Sequence, residues 1–251
     1  MTTPVHGGPR PVVTVIQSSP DVSLDRFSEW LGDVELRLVA AFAGEIVPVA
    51  SEVGDGLVVL GGQMSAYDDS TAPWLPELRA LLADASTQGV PTLGICLGAQ
   101  LLAAARGGRV QVAAPPGRET GIVDVRWRPE AVGDAVVGPV AALADDRHRT
   151  PQPSMHADAV VDLPRGAVWL ASSAMYPYQA FRVGSAWGVQ FHPEAGAATL
   201  RSWADAYDDV DTEAVLSAYA AREAEVTAAG RALAESFASH VRASAQEPVT
   251  A

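Results

Sequence analysis

The sequence has little cysteine and little positive charge, and it contains no long apolar run. Its 251 residues include one cysteine and carry a formal net charge of −13 at pH 7. A single cysteine forms no internal disulfide, and surfaces that bind phosphate need lysine and arginine. No apolar run approaches the roughly 18 residues that a membrane span requires. We therefore expect a cytoplasmic protein that binds neither nucleic acid nor membranes.

The chain is long enough for one large domain, and its composition divides it into three segments. Residues 1–10 are polar and rich in glycine and proline, without the pattern of a signal peptide, and are predicted to form a loose arm. Residues 11–208 are predicted to form one domain. Residues 209–251 are predicted to form a helical extension and tail, because apolar residues recur at helical spacing from 211 to 245. We expect this helix to pack on the flank of the domain, and an oligomer contact is the alternative.

Short apolar runs alternate with helical patterns along most of the chain. Four of these runs are typical of buried strands, at residues 12–16, 57–60, 91–95 and 188–191. The spacing of leucine and alanine predicts helices over residues 74–88 and 97–106. Alternation of this kind predicts an α/β fold with a mostly parallel sheet covered on both faces. Residues 109–190 are richer in proline and more strand-like, so we expect antiparallel strands there.

The single cysteine lies at a predicted strand-to-helix junction, in the segment Gly94-Ile95-Cys96-Leu97-Gly98. A nucleophile on such a sharp turn projects above the sheet, and small residues two positions away on each side prevent backbone clashes. The start of a helix also favours the thiolate form of cysteine. A buried cysteine that acts as a small apolar residue is the alternative, but it does not require the glycines. The pattern therefore predicts that Cys96 is a nucleophile.

A thiol nucleophile needs a base and a group that orients the base. The segment Phe191-His192-Pro193-Glu194 follows a predicted strand, so His192 is predicted to carry the proton and Glu194 to hold its tautomer. Gly61-Gly62 follows another strand, and N–H groups of this turn, together with that of Leu97, are predicted to stabilise an oxyanion. A structural histidine and an ordinary Gly-Gly turn are the alternatives.

Together these segments resemble the class I (triad type) glutamine amidotransferases, and in particular stand-alone proteins related to the glutaminase domain of GMP synthase. The similarity extends in the same order from about residue 12 to residue 201. It is most specific in GGQMSAYD (61–68), PTLGICLGAQLLA (91–103) and GVQFHPE (188–194). Weaker matches are Glu119-Thr120-Gly121 and Met155-His156-Ala157-Asp158. One departure is Gln63, which stands where relatives often have proline.

The resemblance implies a three-layer α/β/α fold of the flavodoxin-like type, with a nucleophile elbow at the edge of a central, mostly parallel sheet. It implies that Cys96 attacks the side-chain amide of L-glutamine, and that a γ-glutamyl thioester, ammonia and glutamate follow. Gly62 and Leu97 match the positions of the family's oxyanion donors, and Gln100, His156 and Asp158 match family positions that hold the substrate.

No cofactor is expected, and the five histidines lack the paired spacing of a zinc site. The segment after the resemblance has no synthetase domain and no phosphate-binding loop. We therefore expect an ammonia-accepting synthase subunit as a partner, with any ATP-driven step on another polypeptide.

Two other functions fit the same motifs. A γ-glutamyl peptidase or hydrolase would use the same Cys96, His192 and Glu194 to release an amine larger than ammonia, and a wider cleft beside Gln100 would favour it. A non-catalytic regulatory subunit with the same fold is the third hypothesis, but such a protein needs none of the three residues.

Overall fold

The computed structural model describes residues 10–246, so residues 1–9 of the predicted N-terminal arm lie outside the described part of the chain. The strands are β1 (Val12–Gln17), β2 (Glu35–Ala40), β3 (Gly56–Val59), β4 (Thr92–Ile95), β5 (Arg109–Gln111), β6 (Glu119–Trp127), β7 (Arg149–His156), β8 (Ala159–Asp162), β9 (Val168–Ser172), β10 (Ala180–Val183) and β11 (Ala186–Val189). The α-helices are α1 (Phe27–Trp30), α2 (Leu75–Gln88), α3 (Leu97–Ala105), α4 (Gly138–Ala141), α5 (Ala197–Ala204) and α6 (Thr212–Gln246).

Nine strands form one mixed sheet in the order β2-β1-β3-β4-β11-β10-β9-β6-β7. Neighbours from β2 to β11 pair in parallel, and neighbours from β11 to β7 pair in antiparallel fashion. Strands β5 and β8 make a separate antiparallel pair. The expected α/β fold is confirmed, and the strands that pair only in antiparallel fashion all fall within residues 109–190, as the sequence predicted.

Helices cover both faces of the large sheet. Because successive side chains of a strand point to opposite faces, β1 and β3 supply one apolar set to each side of the sheet. Leu57 and Val59 pack with the apolar faces of α2 and α3, whereas Val58 and Leu60 pack with residues of α1, α5 and α6. This arrangement gives the three layers that the resemblance implied.

Two strands differ from the sequence-based expectation. β11 ends at Val189, two residues before the predicted end. Beyond it, the Gln190 N–H donates to the carbonyl oxygen of Gln179 at 2.9 Å, and the His192 N–H donates to that of Pro153 at 2.8 Å. β2 was not predicted, because it is an edge strand whose charged and apolar residues are largely exposed and give no clear alternation.

The C-terminal helix α6 runs for 35 residues and bends at Arg222, where φ is −129° and ψ is 17°. Its buried face packs against β6, β7 and α5. Among the apolar residues that recur at helical spacing here, Leu216 is only half-buried, whereas the following are buried: Val215, Tyr219, Val226, Ala229, Leu233, Phe237 and Val241. Within residues 10–246, no helix combines the length and the apolar character needed to cross a membrane.

Candidate active site

Cys96 lies in a strained turn between β4 and α3. Its φ is 51° and its ψ is −104°, a backbone conformation that non-glycine residues rarely adopt. The Cys96 N–H donates to the carbonyl oxygen of Val189 on β11 at 2.8 Å, which fixes the turn to the neighbouring strand. The thiol therefore lies at the carboxyl edge of the parallel strands, where open α/β sheets bind ligands.

The glycines on either side of Cys96 allow α3 to start in direct contact with the sheet. A β-carbon at Gly94 would lie 2.6 Å from the carbonyl carbon and oxygen of Gly98. A β-carbon at Gly98 would lie 2.1 Å from the carbonyl oxygen of Val59 on β3. Both distances are far below van der Waals contact, so the turn needs glycine at these two positions. This is the steric reason for the pattern around the cysteine.

His192 lies beside Cys96 and Glu194. Its Nδ1 is 2.7 Å from Oε1 of Glu194, and both side chains are buried. The ring also lies close enough to Cys96 to interact with its side chain, and both line the same cleft. On another side it contacts the indole of Trp203, with 4.4 Å between ring centroids. The three residues that the sequence singled out are thus in contact as a cysteine, an imidazole and a carboxylate in series.

The two acidic neighbours raise the pKa of His192 to about 10. Burial favours the neutral imidazole, but the negative charges of Glu194 and Cys96 and their hydrogen bonds outweigh it. His192 therefore carries a positive charge at neutral pH. That charge lies beside Cys96 at the start of α3.

The predicted oxyanion donors lie next to the thiol. Gly62 lines the cleft above Cys96, and a β-carbon on it would lie 2.9 Å from Cδ2 of Leu97. Leu97 is the first residue of α3, and such a residue has no acceptor for its N–H within the helix. A β-carbon on Gly61 would lie 2.9 Å from Cε1 of His192, so this glycine loop packs directly on the imidazole.

Gln190 is a site residue that the sequence reasoning missed. It is buried, its Nε2 lies 3.5 Å from Sγ of Cys96, and its Oε1 accepts from Nε2 of Gln100 at 3.2 Å. Gln100 also donates to the carbonyl oxygen of Asp158 at 2.9 Å. The amide nitrogen of Gln100 is thus held by the protein. A glutamine in an otherwise apolar strand run, two residues before the histidine, was the available signal.

His156 belongs to a second buried polar cluster. Its Nε2 is 3.1 Å from Oε2 of Glu119, and its Nδ1 is 2.9 Å from the carbonyl oxygen of Asp158. Glu119 also accepts from Nε2 of Gln179 at 2.6 Å and from Oγ of Ser173 at 2.5 Å. The weak sequence matches at Glu119 and at His156 therefore meet in one network, across the β6–β7 pair.

Asp158 lines the cleft and also holds a neighbouring loop in place. Its Oδ1 accepts from the N–H of Ala113 at 2.9 Å, and this bond fixes the loop that follows β5. Its carbonyl oxygen is the acceptor for both Gln100 and His156. The three residues expected to hold the substrate are thus connected through one backbone oxygen.

A cleft above Cys96 divides into two lobes that meet at the thiol. The larger lobe has a volume of about 260 Å³ and is lined by Asp21, Val22, Gly62, Gln63, Cys96, Met155, His192, Ser202, Trp203, Ala206 and Tyr207. The smaller lobe has a volume of about 90 Å³ and is lined by Gly62, Gln63, Met64, Cys96, Gln100, Arg118, Met155, His156, Ala157, Asp158 and Tyr207. Trp203, Tyr207 and Arg118 were not singled out from the sequence, because their segments carry no motif.

Sequence comparison finds a family and curated relatives that this chain resembles. The family described as glutamine amidotransferase class-I matches residues 31–202. The chain is 36% identical over 146 residues to a GMP synthase [glutamine-hydrolyzing] of Thiobacillus denitrificans, covering 55% of this chain and 25% of that protein. It is 32% identical over 161 residues to one of Streptococcus pneumoniae, covering 63% and 26%. The chain thus spans about a quarter of the length of these relatives.

Solved structures give the same result. A glutamine amidotransferase from Thermotoga maritima superimposes with a TM-score of 0.77 at 28% identity, covering 90% of this chain and 97% of that one. A glutamine amido transferase from Methylobacillus flagellatus superimposes with a TM-score of 0.78 at 26% identity, covering 92% and 94%. The likeness to both extends over nearly the whole chain.

Proposed function

We propose, given that this chain belongs to the class-I glutamine amidotransferase family, that it hydrolyses the side-chain amide of L-glutamine to glutamate and ammonia. The contact series of Cys96, His192 and Glu194, at the junction of the two cleft lobes, is the observation that carries the proposal. A pure scaffold does not need a buried charged imidazole beside a thiol on a strained turn. For this reason we prefer an enzyme to a regulatory subunit.

In the first step the Cys96 thiolate attacks the amide carbon of glutamine. The amide oxygen becomes an oxyanion, which the N–H groups of Gly62 and Leu97 stabilise by hydrogen bonds. His192 gives its proton to the leaving nitrogen, so ammonia departs and a γ-glutamyl thioester remains on Cys96. Glu194 holds Nδ1 of the imidazole at 2.7 Å, which directs Nε2 of the ring toward the reaction.

In the second step the now neutral His192 accepts a proton from water. The resulting hydroxide attacks the thioester carbon, and a second oxyanion forms at the same pair of N–H groups. Its collapse breaks the carbon–sulfur bond, releases glutamate and returns the thiolate and the imidazolium. The reaction consumes one water and needs no cofactor.

The smaller lobe suits the amino-acid end of glutamine. It is small and polar, and Arg118 and Asp158 both line it together with Cys96. A guanidinium and a carboxylate complement the α-carboxylate and the α-amino group of the substrate. Gln100 and His156 form the rest of this wall and are held by Asp158.

We propose further that the ammonia passes to an acceptor enzyme. The curated relatives are named glutamine-hydrolyzing GMP synthases, and the similarity to this chain covers about a quarter of their length. An ammonia-accepting synthase is therefore the partner that we propose for this chain, with the acceptor itself unassigned.

Release of glutamate and ammonia from glutamine by the purified chain tests the proposal. Wild-type protein should produce both in equal amounts, and Cys96→Ala should produce neither while remaining folded. Acid quenching during turnover should leave a γ-glutamyl adduct on Cys96, detected by intact mass. Arg165→Ala, a change at an exposed residue outside the cleft, is the control variant and should hydrolyse glutamine at the wild-type rate. Hydrolysis by Cys96→Ala at the wild-type rate would show that the assignment of the nucleophile is wrong.

A further inference from the structure

We infer that the larger lobe of the cleft is a binding site for a leaving group bigger than ammonia, so that the enzyme also hydrolyses γ-glutamyl amides of uncharged or cationic aliphatic and aromatic amines. This inference rests on the proposed thioester chemistry and names a wider substrate class for the same site. It differs from a γ-glutamyl peptidase, whose leaving group is an amino acid with a free carboxylate.

The position of His192 indicates which part of the substrate occupies each lobe. Cys96 lines both lobes, because it lies where they meet, but His192 lines the larger lobe and is absent from the wall of the smaller one. In an acyl transfer of this kind the histidine must reach the departing nitrogen. The amine side of the scissile bond therefore points into the larger lobe, and the glutamyl side occupies the smaller one.

The size of the larger lobe exceeds what ammonia needs. Ammonia is about as large as water, whose share of liquid volume is about 30 Å³, whereas this lobe measures about 260 Å³. Space on this scale fits an amine of several carbon atoms. The wider part of the cleft lies on the His192 side of the thiol. The sequence analysis had named a wider cleft beside Gln100 as the sign of a larger leaving group, but Gln100 lines the smaller lobe.

Apolar side chains form about half of the wall of the larger lobe. They are Val22, Met155, Trp203, Ala206 and Tyr207, and Trp203 also contacts the ring of His192. Apolar and aromatic walls are typical of sites that bind an apolar part of a ligand. An alkyl or aryl group attached to the departing nitrogen would be buried against these side chains.

The charges around the cleft exclude a carboxylate in the larger lobe. The sequence contains no lysine, and no arginine is among the described residues that line this lobe. Apart from Cys96, His192 and the phenol of Tyr207, its ionisable side chain is Asp21, at the rim, where Oδ2 accepts from Nε2 of Gln63 at 3.2 Å. The cleft's arginine, Arg118, lines the smaller lobe. A leaving group with a negative charge would face Asp21, while the cation of this lobe, His192, is already paired with Glu194.

The reaction balances as ordinary amide hydrolysis. The carbon–nitrogen bond breaks as the carbon–sulfur bond to Cys96 forms, and His192 protonates the nitrogen so that it leaves as a neutral primary amine. Water then cleaves the thioester and glutamate is released. The products are one glutamate and one amine for each amide consumed.

A matched pair of substrates tests the inference. γ-Glutamyl-3-methylbutylamide and γ-glutamylleucine have the same branched side chain and differ in the carboxylate of the leaving group. With purified protein, kcat/KM for the methylbutylamide should exceed that for γ-glutamylleucine at least tenfold. It should also exceed that for γ-glutamylethylamide, which fills less of the lobe. Equal or faster turnover of γ-glutamylleucine, or turnover of glutamine alone, would overturn the inference.

Two variants connect the preference to the lobe. Ala206→Phe should fill the lobe and lower the ratio of methylbutylamide to glutamine turnover at least tenfold, whereas Ala198→Phe, at an exposed position of α5, should leave the ratio unchanged. Asp21→Asn should increase the relative turnover of γ-glutamylleucine. An unchanged ratio in Ala206→Phe would contradict the inference.

Binding to Cys96→Ala separates the two proposals if no substrate is turned over. Calorimetry should then show tighter binding of the methylbutylamide than of glutamine, which would support the lobe assignment although the proposed hydrolysis had failed. Binding of glutamine alone would overturn the lobe assignment. Hydrolysis of glutamine with no binding of the methylbutylamide would leave the proposed function intact and refute the inference.

Discussion

Gly230 on the C-terminal helix lies against the backbone of Pro193, the residue between His192 and Glu194. A β-carbon at position 230 would lie 2.2 Å from the Pro193 carbonyl oxygen and 2.9 Å from the ring of Trp30. Asp25 supports the same turn, because its Oδ2 accepts from the N–H of Gly196 at 2.7 Å. The turn that presents His192 is thus held from outside the sheet by a helix more than 30 residues further along the chain.

We expect Gly230→Ala to lower both stability and turnover. Alanine is favoured over glycine within a helix by about 1 kcal/mol, but the clash with Pro193 should reverse the sign and cost about 1–3 kcal/mol. Displacement of the turn should lower kcat about tenfold or more. Chemical denaturation and glutaminase kinetics measure these effects, with Ala228→Ser on the exposed side of α6 as the control. A stabilised, fully active Gly230→Ala would show that the close contact is unimportant.

The charge of His192 should be visible by NMR. Because Glu194 and Cys96 raise the pKa of His192 to about 10 despite its burial, its ring should stay protonated from pH 6 to 9. Replacing either acidic neighbour, by Glu194→Gln or Cys96→Ala, should lower the pKa. A wild-type His192 that titrates near 6.5, the value for a free histidine, would contradict the charged pair.

The same shift predicts how stability depends on pH. A folded-state pKa above the unfolded value of about 6.5 stabilises the protein fully below that pH, and the stabilisation is lost as pH rises toward 10. The free energy of unfolding of the wild type, minus that of Glu194→Gln, should therefore decrease between pH 7 and pH 10. A difference that stays constant over this range would mean that Glu194 does not stabilise a charged His192.

We expect Gly98→Ala to destabilise the protein by about 3 kcal/mol or more. Its β-carbon would lie 2.1 Å from the carbonyl oxygen of Val59. This oxygen belongs to the backbone of a central strand, which cannot move aside as a flexible side chain can. Gly138→Ala is a suitable control, since its β-carbon would meet its nearest neighbours at 3.4 Å. Urea denaturation of both variants gives the comparison. Similar stabilities would show that α3 can move away from β3 at little cost.

We expect Glu119→Gln to weaken glutamine binding more than catalysis. The carboxylate accepts bonds from His156, Gln179 and Ser173 inside the protein, and an amide there would place N–H groups against other donors. Loss of about 3 kcal/mol of stability is expected, with a higher KM and a smaller change in kcat. Glu130→Gln, at an exposed residue, should change neither. A lower kcat at unchanged KM would show that the cluster acts on the chemical step instead.

The strongest elements of the fold and the site were predictable from local sequence. The strands around Cys96 are continuous apolar runs because both of their faces are covered. Gly94 and Gly98 indicate that the start of α3 lies in close contact with the backbone of β3 and β4. The edge strand β2 lacks such a signal, since half of its residues are exposed. The position of Gln190 beside the thiol also escaped prediction, because it depends on how the chain leaves β11.

The sequence by itself determined the sheet, and it predicted Cys96, His192 and Glu194 as nucleophile, base and carboxylate, because steric and chemical requirements act there over a few neighbouring residues. The tertiary structure alone decided which side of Cys96 is spacious, where Arg118 and Trp203 lie relative to the thiol, and that Gly230 supports the turn that presents His192. These relationships join segments far apart in the chain. They arise from packing across the sheet, which leaves no periodic pattern in the sequence.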